Sequence, residues 1–305
     1  MIKFIFKLFW FVIPILFYCI SSIILTPFII SQIHGPSTEQ QIRSSFKNVI
    51  TEEKYDLIIL GNSRTYRGLN PEFFDFNTFN FSHDNDNYNQ IFYKLKFLLQ
   101  ENIQFDYLIL GTDYFQFNYK SGTRNYIYGD LLSNEYLEDY EEDNKIILKL
   151  EHYINTINPR IFLNLPENTT TKPFIKTNGQ YIRPGISKKN DLPEKRKIKG
   201  IHKLKFQENY FEKTINLCHK NKIKVFILMP PMRANHLSIY NKDEIDRFNS
   251  YIESFINYNV VNLNYSEIDE FHFNDYTDIS HLNELAANRF SKIVNDTIVY
   301  FINNQ

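Results

Sequence analysis

Tyr55-Asp56-Leu57-Ile58-Ile59-Leu60 runs directly into Gly61-Asn62-Ser63-Arg64. The first six residues are a short apolar run closed by a glycine, the pattern of a strand buried on both faces. The turn after it carries a serine. Near the other end of the 305-residue chain, Asp278-Ile279-Ser280-His281 precedes a long amphipathic stretch. A carboxylate and an imidazole three residues apart on one short segment can reach the same place. With the serine they supply the parts of a Ser-His-Asp machine in the chain order Ser…Asp…His, a constellation recognised by geometry and roles rather than by sequence position.

The same strand pattern recurs outward from this point. Thr78–Phe81, Phe105–Leu110, Lys222–Met229 and Asn259–Leu263 read as further strands, the fourth of these five stopped by Pro230-Pro231. Asn87–Gln100 carries Ile91, Leu95, Leu98 and Leu99 at helical spacing, and Asp243–Ile256 and Leu282–Phe301 are helical by the same criterion. Strands alternating with helices predict an α/β domain with a parallel sheet covered on both faces. In such sheets sites form beyond the carboxyl ends of the strands. Ser63, the segment after Phe81, Gly111 and Pro230 all follow strands directly, and Asp278 and His281 precede the last helix, so convergence at one edge is expected.

Residues 115–204 break the rhythm. Tyr126–Asn144 is acidic and tyrosine-rich, and Lys188–Lys205 is basic and interrupted by Pro193. A span of about 90 residues is too long for a plain connection and is read as an insertion with short helices, a cap over the site. Both charge runs fit solvated surface, and the basic one also fits contact with an anionic polymer or lipid headgroups. Residues 32–53 are polar and mixed, and read as a stalk with a short helix.

From Leu8 to Ile30 there is no charged residue, about the length a helix needs to cross the hydrocarbon core of a bilayer. Lys3 and Lys7 precede the run, and no Lys or Arg follows until Arg43. That asymmetry places the N-terminus in the cytoplasm and the remainder outside. A cleaved signal peptide needs a shorter core and a small-x-small site, which Ser31-Gln32-Ile33-His34 lacks. A lipoprotein signal would use Cys19, where Tyr18 is too bulky for the usual preceding residue. An uncleaved anchor over residues 1–31 is the expectation.

Composition narrows the remainder. Net charge is -1, so no global field draws nucleic acid. The two cysteines, one in the apolar run and one in a predicted helix, support neither a disulfide nor a cysteine-based zinc site. No glycine-rich phosphate loop, Gly-x-Ser-x-Gly elbow or metal-ligand spacing occurs, so a mechanism free of metal and cofactor is expected. Ser63 is the candidate nucleophile, because a serine hydroxyl needs an adjacent base. His281 is the candidate base and Asp278 its orienting partner. Asp278 also suits a helix N-cap. The other histidines, His34, His83, His152, His202, His219, His236 and His272, read as satisfied structural residues.

These residues resemble the SGNH (GDSL-like) hydrolases. Gly61-Asn62-Ser63 is similar to the family's first block and the Asp-x-x-His of Asp278 and His281 to its last. The string Ile59-Leu60-Gly61-Asn62-Ser63-Arg64-Thr65-Tyr66-Arg67-Gly68-Leu69-Asn70-Pro71, with Asp278-Ile279-Ser280-His281-Leu282-Asn283 and Ala286-Ala287, looks most like the membrane-anchored extracytoplasmic branch. That branch includes the D-alanyl-transfer protein of teichoic-acid modification and the alginate and peptidoglycan O-acetyltransferases. The resemblance spans about residues 54–302. It implies a flavodoxin-like three-layer sandwich and an extracytoplasmic serine esterase or O-acyltransferase. The substrate would be a cell-envelope polysaccharide or polymer, and a membrane acyl-exporting partner protein is implied as well. The alternative is an inactive accessory or glycan-binding protein on the same fold.

Two departures bear on the oxyanion hole. The family's second block has a glycine where this chain has Asn80-Phe81-Ser82-His83-Asp84-Asn85, and its third block has an asparagine where this chain has Asp113. A backbone N–H at Ser82 or a near neighbour is the expected replacement donor, with Asn85 or Asn87 supplying a side-chain amide. Asp113 is expected to pair with Arg64 or Arg67 and fix the serine turn. Pro230-Pro231-Met232-Arg233 reads either as acceptor-pocket lining or as a loop that ends a strand.

Overall fold

A computed structural model describes residues 2–141, 144–156, 172–186, 201 and 203–304. Its centre is a five-stranded parallel sheet of β1 (Leu57–Leu60), β2 (Thr78–Asn80), β3 (Tyr107–Gly111), β6 (Lys224–Met229) and β7 (Val260–Asn264), in the order β2-β1-β3-β6-β7. Two further strands, β4 (Phe174–Ile175) and β5 (Tyr181–Ile182), form a small antiparallel hairpin. The five sheet strands are those expected from the apolar runs. Each starts or ends one or two residues inside the expected run, and β3 and β7 run one residue further at their carboxyl ends.

The helices are α1 (Ile2–His34), α2 (Thr38–Val49), α3 (Ser63–Gly68), α4 (Tyr88–Gln100), α5 (Asn125–Leu131), α6 (Asn134–Glu138), α7 (Lys145–Thr156), α8 (Lys205–Lys220), α9 (Ala234–Leu237), α10 (Lys242–Glu253) and α11 (Glu284–Asn303). Strand residues alternate between two cores. Ile58, Leu60, Leu108, Leu110, Val225 and Ile227 pack with α2, α4, α8 and α10 on one face. Leu57, Ile59, Ile109, Phe226 and Leu228 pack with Ala286, Ala287, Phe290, Val294 and Ile298 of α11 on the other. The arrangement is therefore three-layered. Truncating one of these buried aliphatic side chains to alanine carries the usual core cost of about 2–5 kcal/mol.

Register positions the site. Leu60 pairs with Leu110, and Gly111 pairs with Leu228. The ends of β1, β3 and β6 are thus level, and Gly61, Thr112-Asp113 and Pro230 emerge side by side. The strand order reverses between β1 and β3, the place where open α/β sheets form their crevice.

Two sequence expectations change. Residues 32–53 do not serve as a stalk, because α2 belongs to the domain. Its Ile42, Phe46 and Val49, one helical face, are buried in the first core, where Phe46 packs edge-on to Phe81 at 4.8 Å. The domain boundary moves from Lys54 back to the start of α2, which Ser37 and Gln40 close with a capping box. Within 115–204, α5 and α6 bury Ile127, Tyr128 and Tyr136 in the same core, so this part packs as a layer of the domain. Most of the basic segment Lys188–Lys205 lies outside the described residues.

Among the described residues one helix is long and apolar enough to cross a membrane, α1 over Lys3–Leu25, with a mean hydropathy of 2.4. Only 6% of that window is buried, which separates it from the core helix of a globular domain.

Candidate active site

The serine turn is held by local geometry. Asn62 is the N-cap of α3; its Oδ1 accepts from the Arg64 N–H at 2.9 Å, and its carbonyl accepts from Thr65 Oγ1 at 2.8 Å. Ser63 is the first helical residue, where a backbone N–H has no partner within the helix. Thr65 wedges between the strand ends. A Cβ on Gly61 would lie 2.3 Å from Thr65 Oγ1, and one on Gly111 would lie 2.4 Å from Thr65 Cγ2. Both glycines are therefore required by the close approach of α3 to β1 and β3.

Ser63 and His281 meet across the fold. His281 Nε2 lies 2.8 Å from Ser63 Oγ, and His281 Nδ1 lies 2.8 Å from both Asp278 carboxylate oxygens. Asp278 Oδ1 also accepts from the N–H groups of Ser280 and His281 at 3.0 and 3.1 Å. It caps its own turn and not the last helix, contrary to the helix-cap alternative, and in the same pose it faces the imidazole. The helix itself starts later, capped by Asn283.

Electrostatics favour a neutral base. Burial pushes the His281 imidazole below its ordinary pKa, and the Arg67 charge adds to this, while Asp278 pulls the other way. For Asp278, burial raises the carboxyl, but the His281 hydrogen bond and charge and the two N–H donors outweigh it and hold it well below the usual carboxylate range. A neutral imidazole that donates Nδ1–H to an ionised Asp278 presents its Nε2 lone pair to the serine hydroxyl. That is the protonation state needed to accept a proton.

A buried ion pair underlies the serine turn. The Arg64 guanidinium contacts the Asp113 carboxylate and donates through Nη2 to the carbonyls of Pro230 and Pro231 at 2.7 and 2.5 Å. Both side chains are almost fully buried. Burial raises the Asp113 carboxyl above its ordinary pKa, and Arg64 and Asn62 offset part of that rise. Of the two expected arginine partners it is thus Arg64 that pairs with Asp113. Arg67 binds Asp84 at 2.5 Å, approaches Asp278 Oδ2 at 3.9 Å and lies over the Tyr181 ring at 5.4 Å. The Pro230-Pro231-Met232-Arg233 loop supports the machinery from two sides. Its carbonyls hold Arg64, and Arg233 Nη1 donates to the Asp278 carbonyl at 3.3 Å.

The expected oxyanion donors are placed differently. The Ser82 N–H already donates to Asn80 Oδ1 at 3.2 Å, and the His83 N–H to the Gly61 carbonyl at 3.3 Å. Asn80 is itself held by α3, its Nδ2 donating to the Thr65 and Leu69 carbonyls at 3.0 and 2.9 Å. Asn85 is exposed in a left-handed turn with φ 56°, and its carbonyl accepts from Tyr119 Oη at 3.4 Å. Asn87 Nδ2 donates to the Tyr119 carbonyl at 3.3 Å. The Ser63 N–H stays the donor nearest the nucleophile.

Behind this loop lies a charged cluster that the sequence analysis missed. Lys94 is fully buried, with Nζ 2.8 Å from Asp86 Oδ2 and 2.7 Å from His83 Nδ1. Tyr128 Oη donates to Asp86 Oδ1 at 2.6 Å, and Gln116 Nε2 to the Asp86 carbonyl at 3.1 Å. The signal was present: Lys94 stands between Ile91 and Leu98 on the apolar stripe of α4. A lysine at an apolar helical position indicates a buried carboxylate elsewhere in the fold.

Among the described residues no group of three or more His, Cys, Asp or Glu side chains is gathered to hold a metal ion. A scan against protein-family models finds no match, and a search of curated proteins finds no match.

Proposed function

We propose that this protein is a membrane-anchored extracytoplasmic serine esterase or O-acyltransferase of the SGNH type, acting on a cell-envelope polysaccharide or polymer. The observation that carries the proposal is the continuous hydrogen-bonded chain from Ser63 Oγ through His281 to Asp278, built from the two segments that resemble the family. The sheet order and the site at the switch point are compatible with an SGNH-like sandwich. The apolar, exposed α1 supports the anchor, and the lysines before it support a cytoplasmic N-terminus.

In this reading Ser63 Oγ attacks the ester carbonyl as its proton passes to His281 Nε2. The Ser63 N–H stabilises the oxyanion. Collapse expels the alcohol, which takes the proton back from His281 and leaves an acyl-Ser63 ester. Water or a sugar hydroxyl, deprotonated by His281, then accepts the acyl group and restores the serine. A membrane partner that delivers the acyl group belongs to the same reading.

Two observations favour the alternative, an inactive accessory or glycan-binding protein: the Ser82 N–H is engaged by Asn80, and the third-block position is a buried aspartate. Losing one oxyanion donor costs about 100- to 1,000-fold in rate. The deciding experiment treats the full chain in detergent with a fluorophosphonate probe and 4-nitrophenyl acetate. Labelling and turnover are expected in wild type, with Ser63→Ala abolishing labelling and His281→Ala reducing turnover by about 10,000-fold or more. A folded wild type that neither labels nor turns over would transfer the assignment to the accessory protein.

A further inference from the structure

Helix α7 carries an apolar face that stands exposed among the described residues. Ile146, Leu150 and Ile154 are 70%, 53% and 64% exposed, and Ile147 stands exposed beside them. The positions i, i+1, i+4 and i+8 form one helical stripe. The opposite side of α7 is fastened to the domain. Leu148 packs on the core, Lys149 pairs with Asp130 at 2.8 Å, and His152 stacks on Tyr126 with ring centroids 3.7 Å apart. The helix therefore cannot roll to hide its stripe without breaking those contacts. Contiguous exposed apolar surface of this kind marks an interaction site.

The position of α7 identifies the occupant. It lies against α1, and its His152 is within electrostatic reach of Glu39, five residues beyond the end of α1. A second element reaches the same place. The Pro173 carbonyl presses on Gly35, where a Cβ would lie 2.4 Å from it, and the adjacent Phe174 is exposed. The stripe and Phe174 thus both belong to the region where α1 passes into the soluble domain. If α1 spans a bilayer, an amphipathic helix packed against it has the lipid surface within reach.

We infer that α7 is an interfacial helix whose Ile146, Ile147, Leu150 and Ile154 lie in the headgroup region of the leaflet from which α1 emerges. This inference rests on the membrane-anchored reading of α1. An interfacial helix buries its apolar face about 5–10 Å into the headgroup and acyl boundary. The contact gives the domain a second attachment and restrains its orientation on the bilayer, which a single helix leaves free.

The test uses the full chain reconstituted in vesicles of phosphatidylglycerol and phosphatidylethanolamine, with and without lipids brominated near the glycerol end of their acyl chains. Bromine quenches an indole only on contact. The native Trp10 in α1 reports on the anchor. In a Trp10→Phe background, Leu150→Trp and Ile154→Trp report on α7, and Tyr300→Trp on the exposed end of α11 serves as reference. Unchanged circular dichroism certifies each variant. Bromolipid is expected to quench both α7 indoles roughly two-fold or more, with the reference unquenched. Quenching of Trp10 without quenching on α7 would overturn the inference and leave the anchor standing. Blue-shifted but unquenched emission from α7 would also overturn it, showing a protein surface, a second copy included, in place of lipid. An unquenched Trp10 would overturn the anchor, and the inference with it.

Discussion

Asp113 pairs with an arginine, as its sequence context led one to expect, and the fold decides that the arginine is Arg64. At its position the resembling family places an amide that faces the reacting oxygen, and a carboxylate there would repel a developing negative charge. In the structure the Asp113 carboxylate instead neutralises Arg64, whose other bonds reach the end of β6. One guanidinium so ties together the serine helix, the loop after β3 and the loop after β6. Removing one partner of a buried pair leaves an uncompensated charge and costs about 3–5 kcal/mol, whereas replacing both with well-packed apolar residues is often neutral. Asp113→Asn is therefore expected to lower stability by about 3–5 kcal/mol in urea unfolding, and Arg64→Met by a similar amount. The double substitution Arg64→Met/Asp113→Leu should recover most of that loss while displacing Ser63, so that fluorophosphonate labelling slows although the protein stays folded. A double variant whose loss equals the sum of the two single losses would show that the two side chains contribute nothing as a pair.

The loop from β2 to α4 shows what an element asks of its neighbours. Its residues flank the sheet edge that carries Ser63, yet they contain no glycine and few apolar side chains. Order comes from below, where Lys94 of α4 and Asp86 of the loop form a fully buried pair and His83 completes it. Burial and the Lys94 charge push the His83 imidazole down to about 4, and burial lowers Lys94 to about 8 against the attraction of Asp86. A histidine held neutral in the folded state binds fewer protons than in the unfolded state between about pH 4 and its unfolded value near 6.5. Stability then rises with pH across that window and is lost as pH falls through it. The full effect is on the order of 3 kcal/mol. Thermal unfolding between pH 4 and pH 7 should show this slope, and His83→Gln should flatten it. An unchanged slope in His83→Gln would assign the acid sensitivity to other groups.

At the scale of the whole molecule, the domain begins where α1 ends. Helix α2 contributes Ile42, Phe46 and Val49 to the same core as β1, α4 and α8. A chain starting at Gly35 is expected to fold and to retain the Ser63 to His281 geometry. A chain starting at Lys54 loses three buried side chains, each worth about 2–5 kcal/mol on truncation. The sum approaches the whole stability of an ordinary domain, about 5–15 kcal/mol. Proteolytic resistance and sharp thermal unfolding of the longer chain, with neither in the shorter, would establish the boundary. Equal stability of both would show α2 to be dispensable.

Much of this molecule was legible along the chain. Apolar runs closed by Gly, Pro or polar residues marked all five sheet strands, because a strand buried on both faces needs a continuous apolar stretch, whatever its partners. Helical spacing marked α4, α10 and α11 for the same local reason, and the uncharged run marked α1. Ser63, Asp278 and His281 stood out because the chemistry requires those groups beside strand ends and a helix start. Four features needed the folded chain: which of the two arginines pairs with Asp113, the engagement of the Ser82 amide by Asn80, the identity of the partners of Lys94 and the placement of α2 in the core. Each depends on which distant backbone lies alongside, and that follows from strand order, register and crossovers rather than from neighbours in sequence. A polar side chain carries no mark of its partner, and an amphipathic helix shows that it has a buried face but not what buries it.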